Sequence, residues 1–167
     1  MRQRQGRHTP LYTSAERQRR DASPWTLVQG VLAPLQFLVF LASLGLVLRT
    51  LATGEGAAIA SASVVAKTLV LYAIMVTGSI WEKAVFGRYL FAPAFFWEDV
   101  FSILVLALHT AYLAALGLGW LDTPGLMVLA LAAYAAYLIN AVQFLLKLRA
   151  ARLEAPASLA LAAGAAR

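Results

Sequence analysis

From Trp25 to Leu48 the chain reads WTLVQGVLAPLQFLVFLASLGLVL, 24 residues without one charged side chain. An α-helix needs roughly 20 apolar residues to cross about 30 Å of hydrocarbon, so this stretch fixes the solvent as lipid. The pattern recurs from Ala57 to Ile80, Val100 to Leu121 and Gly125 to Leu146, with Lys67 the single formal charge inside any of the four. The expected fold is all-α, an integral membrane four-helix bundle.

Composition agrees. Of 167 residues 61% are hydrophobic and 13% charged, against about 25% charged in soluble domains. Four spans leave no room for a separate soluble domain. The expected organisation is a basic tail with a short interfacial helix over 1–24, a transmembrane domain over 25–149, and an Ala-rich tail over 150–167. The net charge of +6 does not point to nucleic acid, because the basic residues flank the spans. With no cysteine in the chain, disulfides, thiolate metal sites and thiol nucleophiles are excluded. No cleavable leader is expected, since the first apolar run is too long for one. Nor is there a glycine-rich phosphate loop. With His8 in a tail, two histidines are too few for a zinc or di-iron site without carboxylate help, and bis-His haem ligation within one chain is not expected.

Orientation follows from charge. Arg2, Arg4, Arg7, Arg17, Arg19 and Arg20 precede the first span. Lys83 and Arg88 lie between the second and third, and Lys147, Arg149, Arg152 and Arg167 follow the fourth. Arg49 alone falls on the other side. Both termini and the middle loop are therefore expected in the cytoplasm.

Along the chain, Met1 to Pro10 reads as disordered. Thr13 and Glu16 have capping-box spacing, which predicts a helix over Ser14 to Ala22, basic enough to rest on anionic headgroups. Ser23 is expected to cap the first span with Pro24 in the first turn, and Pro34 to kink it. Thr53 to Gly56 reads as one tight outer turn and Leu121 to Gly125 as the other, with Thr123 the expected cap of the last span. The Ala-rich stretch from Ala155 to Arg167 carries no motif.

The middle loop is unusual. VFGRYLFAPAFFWED, Val85 to Asp99, holds six aromatics and is flanked by Glu82, Glu98 and Asp99. It is expected to lie in the membrane interface or dip into it, where its aromatics could hold a planar ligand. A carboxyl withdrawn from water suits general acid work near neutral pH, while simple pairing of these carboxylates with Lys83 and Arg88 is equally compatible with composition.

The spans carry few polar groups. Glu98, Ser102, His109 and Tyr112 share one face of the third, and His109 sits near mid-bilayer, where ionisable groups usually face a bundle interior or a wet cavity. Gln29, Gln36 and Ser43 form a stripe on the first span, of the kind that often serves as helix–helix glue. The fourth offers Tyr137, Asn140, Gln143 and Lys147. Lys147 is expected to snorkel, and Lys67 to snorkel or bond a neighbouring helix rather than react.

The blocks SPWTLVQGVLAPLQFLVF (Ser23 to Phe40), LATGEG (Leu51 to Gly56), GSIWEKAVFGRYLFAPAFFWEDVFS (Gly78 to Ser102), LALHTAYLAAL (Leu106 to Leu116) and NAVQFLLKLRAARL (Asn140 to Leu153) resemble the 3-vinyl bacteriochlorophyllide hydratase family of bacteriochlorophyll biosynthesis. The resemblance runs from Pro10 to Leu153. It implies a hydro-lyase in the bacterial inner, intracytoplasmic membrane, with its site facing the cytoplasm. Water would add across the C3-vinyl group of chlorophyllide a, or a related bacteriochlorophyllide, to give the 1-hydroxyethyl product. No cofactor is implied, because the Mg belongs to the chlorin substrate. Other enzymes of the pathway are conceivable partners.

On this reading Glu82 or Glu98 is the general acid and Asp99 orients water. Substrate binding falls to His109 (as a ligand to the substrate Mg, or holding a water), Asn140, Gln36, Arg88, Trp97 and Phe96, with Arg88 or Lys83 meeting the propionate. The rival reading is a non-enzymatic chlorin-binding or photosynthetic-complex assembly protein using the same loop. A transporter is disfavoured, since the polar groups form no path across.

Overall fold

A computed structural model describes residues 11–165, with side chains through residue 152. The readings made for Met1 to Pro10 and for the side chains of the Ala-rich tail lie outside the described residues. The elements are α1 (Ser14–Ala22), α2 (Pro24–Thr53), α3 (Ala57–Phe86), α4 (Phe96–Leu118) and α5 (Thr123–Ala165).

Helices α2 to α5 are each long and apolar enough to cross a bilayer, and the chain is a multi-pass membrane protein. At 30 residues, α2 and α3 are about 45 Å long. They overrun the spans read from hydropathy, because helical hydrogen bonding continues into the headgroup layer after the apolar run ends. For the same reason α5 continues past Leu146 to Ala165 without a break. Pro34 lies within α2 without ending it.

The distribution of side chains is that of a protein solvated by hydrocarbon. Leu27 is 73% exposed and Leu38 64%, while Lys67 and His109 are 0% exposed. Lipid tails give no hydrophobic drive for helices to associate, so small residues and interhelical hydrogen bonds hold such bundles. Ala60, Ala115, Ala130 and Ala133 accordingly occupy the core beside Val47, Val64 and Val105. Ser43 on α2 bonds both Ser63 on α3, at 2.6 Å, and the Tyr134 hydroxyl on α5. Gln29 Nε2 donates to Thr77 Oγ1 at 2.8 Å. Most of the α2 stripe is thus glue, as its heptad spacing suggested. The antiparallel pairs α2–α3 and α4–α5 pack most extensively, and α2 against α5 joins them.

The short elements follow local rules, with two corrections. The capping box forms: Thr13 Oγ1 accepts from the Glu16 amide at 3.3 Å and Glu16 Oε2 accepts from the Thr13 amide at 2.8 Å. Ser23 occupies the N-cap position of α2, but its hydroxyl makes no cap bond. The junction is tied instead by Thr26 Oγ1, which donates to Arg20 O at 2.6 Å and accepts from Trp81 Nε1 at 2.9 Å. Asp122, not Thr123, caps α5, its Oδ1 accepting from the Gly125 amide at 2.9 Å. A carboxylate oxygen is the stronger acceptor for amides at the positive end of a helix.

Candidate active site

One end of the bundle carries α1, the α3–α4 connection and the α5 segment around Lys147. Gly87 ends α3 in the left-handed region, at φ 83°, and residues 88–95 then fold back over the helix ends. Ala92 and Phe95 are buried there. Phe95 is the keystone: its ring stacks on Phe144 of α5 at 5.9 Å and meets Trp81 edge-on at 5.7 Å and Phe86 at 5.8 Å. Tyr12, ahead of α1, stacks on Phe86 at 5.7 Å and completes the roof. Burial raises the Tyr12 phenol above its ordinary range, against the pull of Arg20, so the roof stays neutral.

Beneath this roof the structure brings Glu82, Glu98 and Asp99 together, all buried. Phe91 donates its amide to Asp99 Oδ2 at 2.7 Å, and Ala92 donates to Glu82 Oε2 at 3.3 Å. The carboxyl groups of Glu82 and Asp99 also lie within interaction range of each other, an arrangement in which two carboxylates repel and one shared proton relieves the repulsion. Glu98 differs. Its Oε2 accepts from Lys147 Nζ at 2.6 Å, so it stands as a carboxylate opposite an ammonium. Glu98 and Lys147 are both within electrostatic reach of Asp99.

The sequence reading left open a pairing of these carboxylates with Lys83 and Arg88. Lys83 Nζ instead donates to Gly87 O at 2.8 Å, and Arg88 Nη1 approaches Phe91 O at 3.4 Å. The partner is Lys147, whose side chain is held in the ion pair rather than free. Sequence gave no sign of this, because 49 residues separate Lys147 from Glu98.

Phe91 is the one described non-glycine residue with positive φ, at 58°. For a bulky side chain this conformation is strained by about 1–3 kcal/mol and persists only where the surroundings enforce it. Here the amide bond to Asp99 does so. The result turns aromatic faces outward: Phe91 lies 5.7 Å from Phe96, and Phe96 5.4 Å from Trp97, with Trp97 65% exposed. Phe96, Trp97 and Arg88 therefore rim the carboxylate cluster from outside.

The remaining candidates lie deeper. Asn140 Nδ2 donates to Ser102 Oγ at 2.8 Å. Gln36 is buried on α2. His109 is ten residues beyond Asp99 on α4, about 15 Å along the axis, and fully buried against Tyr134 at 5.9 Å. The carboxylates and His109 thus form separate layers.

Of the two expectations for Lys67, the structure shows the contact with a neighbouring helix rather than snorkelling: its Nζ sits 3.9 Å from the centre of the Tyr137 ring of α5 and 5.8 Å from that of Tyr134. Helical phase relative to α4 and α5 decides this, and the α3 sequence does not contain it.

Comparison with known proteins places the chain. A family profile described as 2-vinyl bacteriochlorophyllide hydratase matches residues 12–150. The chain is 68% identical over 152 residues to a 2-vinyl bacteriochlorophyllide hydratase of Cereibacter sphaeroides, covering 90% of this chain and 94% of the relative. It is 68% identical over 145 residues to the protein of that name from Rhodobacter capsulatus, covering 87% and 84%. No solved structure matches.

Proposed function

The chain belongs to the 2-vinyl bacteriochlorophyllide hydratase family, and from that premise we propose that the buried carboxylate cluster under the α3–α4 loop is where water is added to the vinyl group. The protein acts as a hydro-lyase in bacteriochlorophyll biosynthesis. Its substrate is a vinyl-bearing, chlorophyllide-type tetrapyrrole that brings its own Mg.

Hydration needs a proton on the terminal vinyl carbon and a hydroxyl on the inner one. Protonation comes first, because the resulting cation is conjugated with the macrocycle. Two buried carboxyls this close are relieved by sharing one proton, so Glu82 and Asp99 serve as the donor pair, the loop amides of Phe91 and Ala92 fixing their direction. Glu98, ion-paired with Lys147, accepts the proton that water gives up as its oxygen bonds to the inner carbon. That proton then passes from Glu98 to the neighbouring Glu82–Asp99 pair, replacing the one delivered, so the cycle closes without a cofactor. Positioned proton donors and acceptors of this kind contribute about 10²–10⁴-fold each.

Phe91, Phe96 and Trp97 offer flat faces to the macrocycle, and Arg88 offers a charge for its propionate. The site faces the cytoplasm, as the basic residues around it favour. The gathering of three buried carboxyls, two bonded to loop amides and the third ion-paired to Lys147, is the observation that carries this reading. It separates donor from acceptor within one small cluster.

The test is direct. Purified protein in lipid is incubated with chlorophyllide a, and the product mass is followed. A gain of one water supports hydration. Pigment recovered unchanged after prolonged incubation overturns it in favour of a carrier.

A further inference from the structure

Below the carboxylate layer, the facing sides of α4 and α5 form a polar ladder. Its polar rungs are Glu98–Lys147 at 2.6 Å and Asn140–Ser102 at 2.8 Å, and deeper the His109 and Tyr134 rings pack with centroids 5.9 Å apart. Lys67 of α3 reaches into the deep end over Tyr137, within electrostatic reach of His109. Four buried atoms along the ladder have no hydrogen-bond partner among the described residues: Lys67 Nζ, His109 Nε2, Asn140 Oδ1 and Gln143 Oε1.

Their spacing is regular. Tyr137 (which marks the level of Lys67), Asn140 and Gln143 follow one another at three-residue intervals on α5, and Lys147 comes four later. These are axial steps of about 4.5, 4.5 and 6 Å. One water accepting at one side and donating at the other spans about 5 Å between polar atoms.

The chemistry of the four atoms also selects the ligand. Lys67 only donates. His109 Nδ1 faces Val105 O at 2.8 Å; a carbonyl only accepts, so that nitrogen carries the hydrogen and Nε2 of the neutral ring accepts. The Asn140 and Gln143 oxygens accept. Three acceptors repel an anion, and the amine repels a cation. Water, both donor and acceptor, satisfies all four, and buried polar groups with two or more such partners are where proteins hold it.

We propose that the α4–α5 seam binds a file of water molecules from Lys67 and His109 at mid-bundle to the Glu98–Lys147 pair, and that this file supplies the water added to the vinyl group. The second clause rests on the hydratase reading; the first does not. Phe95 and Tyr12 roof the site and a bound macrocycle would narrow access from above, whereas the seam residues approach Glu98 from below through Asn140 and Ser102. The oxygen of the last water bonds to the inner vinyl carbon, one of its O–H bonds breaks towards Glu98, the next water moves up, and the file refills at the water-exposed Lys147 end once product leaves. His109 and Lys67 act on that water, not on the chlorin Mg.

The chain has two histidines, which makes the test clean. Full-length protein labelled with ¹⁵N-histidine is studied by NMR in lipid nanodiscs, with His8→Gln to assign the signals. Magnetisation transfer from water to the His109 ring is expected, and Asn140→Leu, which interrupts the file, should remove it. The same variant should lower the hydration rate about tenfold. Gln143→Leu, nearer the bundle end, should slow hydration likewise and serves if Asn140→Leu folds poorly. Absence of water transfer at His109 in the unsubstituted ring, or full hydration activity in both leucine variants, overturns the proposal. Water transfer in a protein that hydrates no chlorin upholds the file and removes the hydratase reading instead.

Discussion

Glu98 of α4 and Lys147 of α5 meet at 2.6 Å across the helix interface, with the lysine side chain 24% and the glutamate 9% exposed. The pair closes the bundle at the end where the loop is fastened, and Lys147 also lies 5.1 Å from the centre of the Phe95 ring. Its contribution is best probed by leaving one charge alone. Lys147→Met should destabilise the protein by about 1–3 kcal/mol, below the figure for a fully buried pair because water still reaches the amine. Lys147→Arg should restore most of the loss. Thermal unfolding in lipid reads both, and a stable, active methionine variant would remove the pair from the argument.

The donor pair predicts a separation of binding from chemistry. Glu82→Gln and Asp99→Asn keep shape and the ability to accept from the loop amides, but neither amide can donate an acidic proton. Hydration should fall about 10²–10⁴-fold, with pigment binding changed by less than about tenfold. Glu98→Gln should slow the reaction similarly by removing the acceptor. Full activity in both Glu82→Gln and Glu98→Gln would eliminate this cluster as the source of acid and base.

Phe91 combines strain with an outward-facing ring. Glycine adopts φ 58° without steric penalty. Phe91→Gly should therefore leave stability within about 1 kcal/mol of the parent, the relieved strain offsetting the added freedom of the unfolded chain. Pigment affinity, followed by the shift of chlorin absorption on binding, should drop. Unchanged affinity would remove Phe91 from the substrate surface.

At the opposite end, Asp122 tests local structure alone. Asp122→Ala deletes the cap of α5 and should cost about 0.5–2 kcal/mol, with hydration unchanged at temperatures where the protein is folded. A loss of activity there would mean that the two ends of the bundle are coupled.

Orientation is accessible to labelling because the chain has no cysteine. A cysteine at Glu55, in the α2–α3 turn, should react with a membrane-impermeant maleimide added to spheroplasts. One at Arg152, on α5, should react only after the membrane is opened. The reverse pattern would place the carboxylate cluster on the periplasmic side.

The long apolar runs determined four spanning helices from sequence alone, because hydrocarbon permits few other backbones. The capping box determined α1, and the α4 stripe Glu98, Ser102, His109 and Tyr112 was legible as a buried face. These are periodic or local signals, and the chain carries them whatever its neighbours are. Long identical strings also carried the family. Tertiary structure alone decided which polar groups meet. Lys147 reached Glu98, Lys67 turned inward onto Tyr137, and Glu82 was joined to Asp99 beneath a loop whose strained residue is Phe91. Pairing across helices depends on their rotation and axial register, which no single helix encodes. In lipid, a polar side chain turns towards whichever neighbour the packed bundle brings within reach.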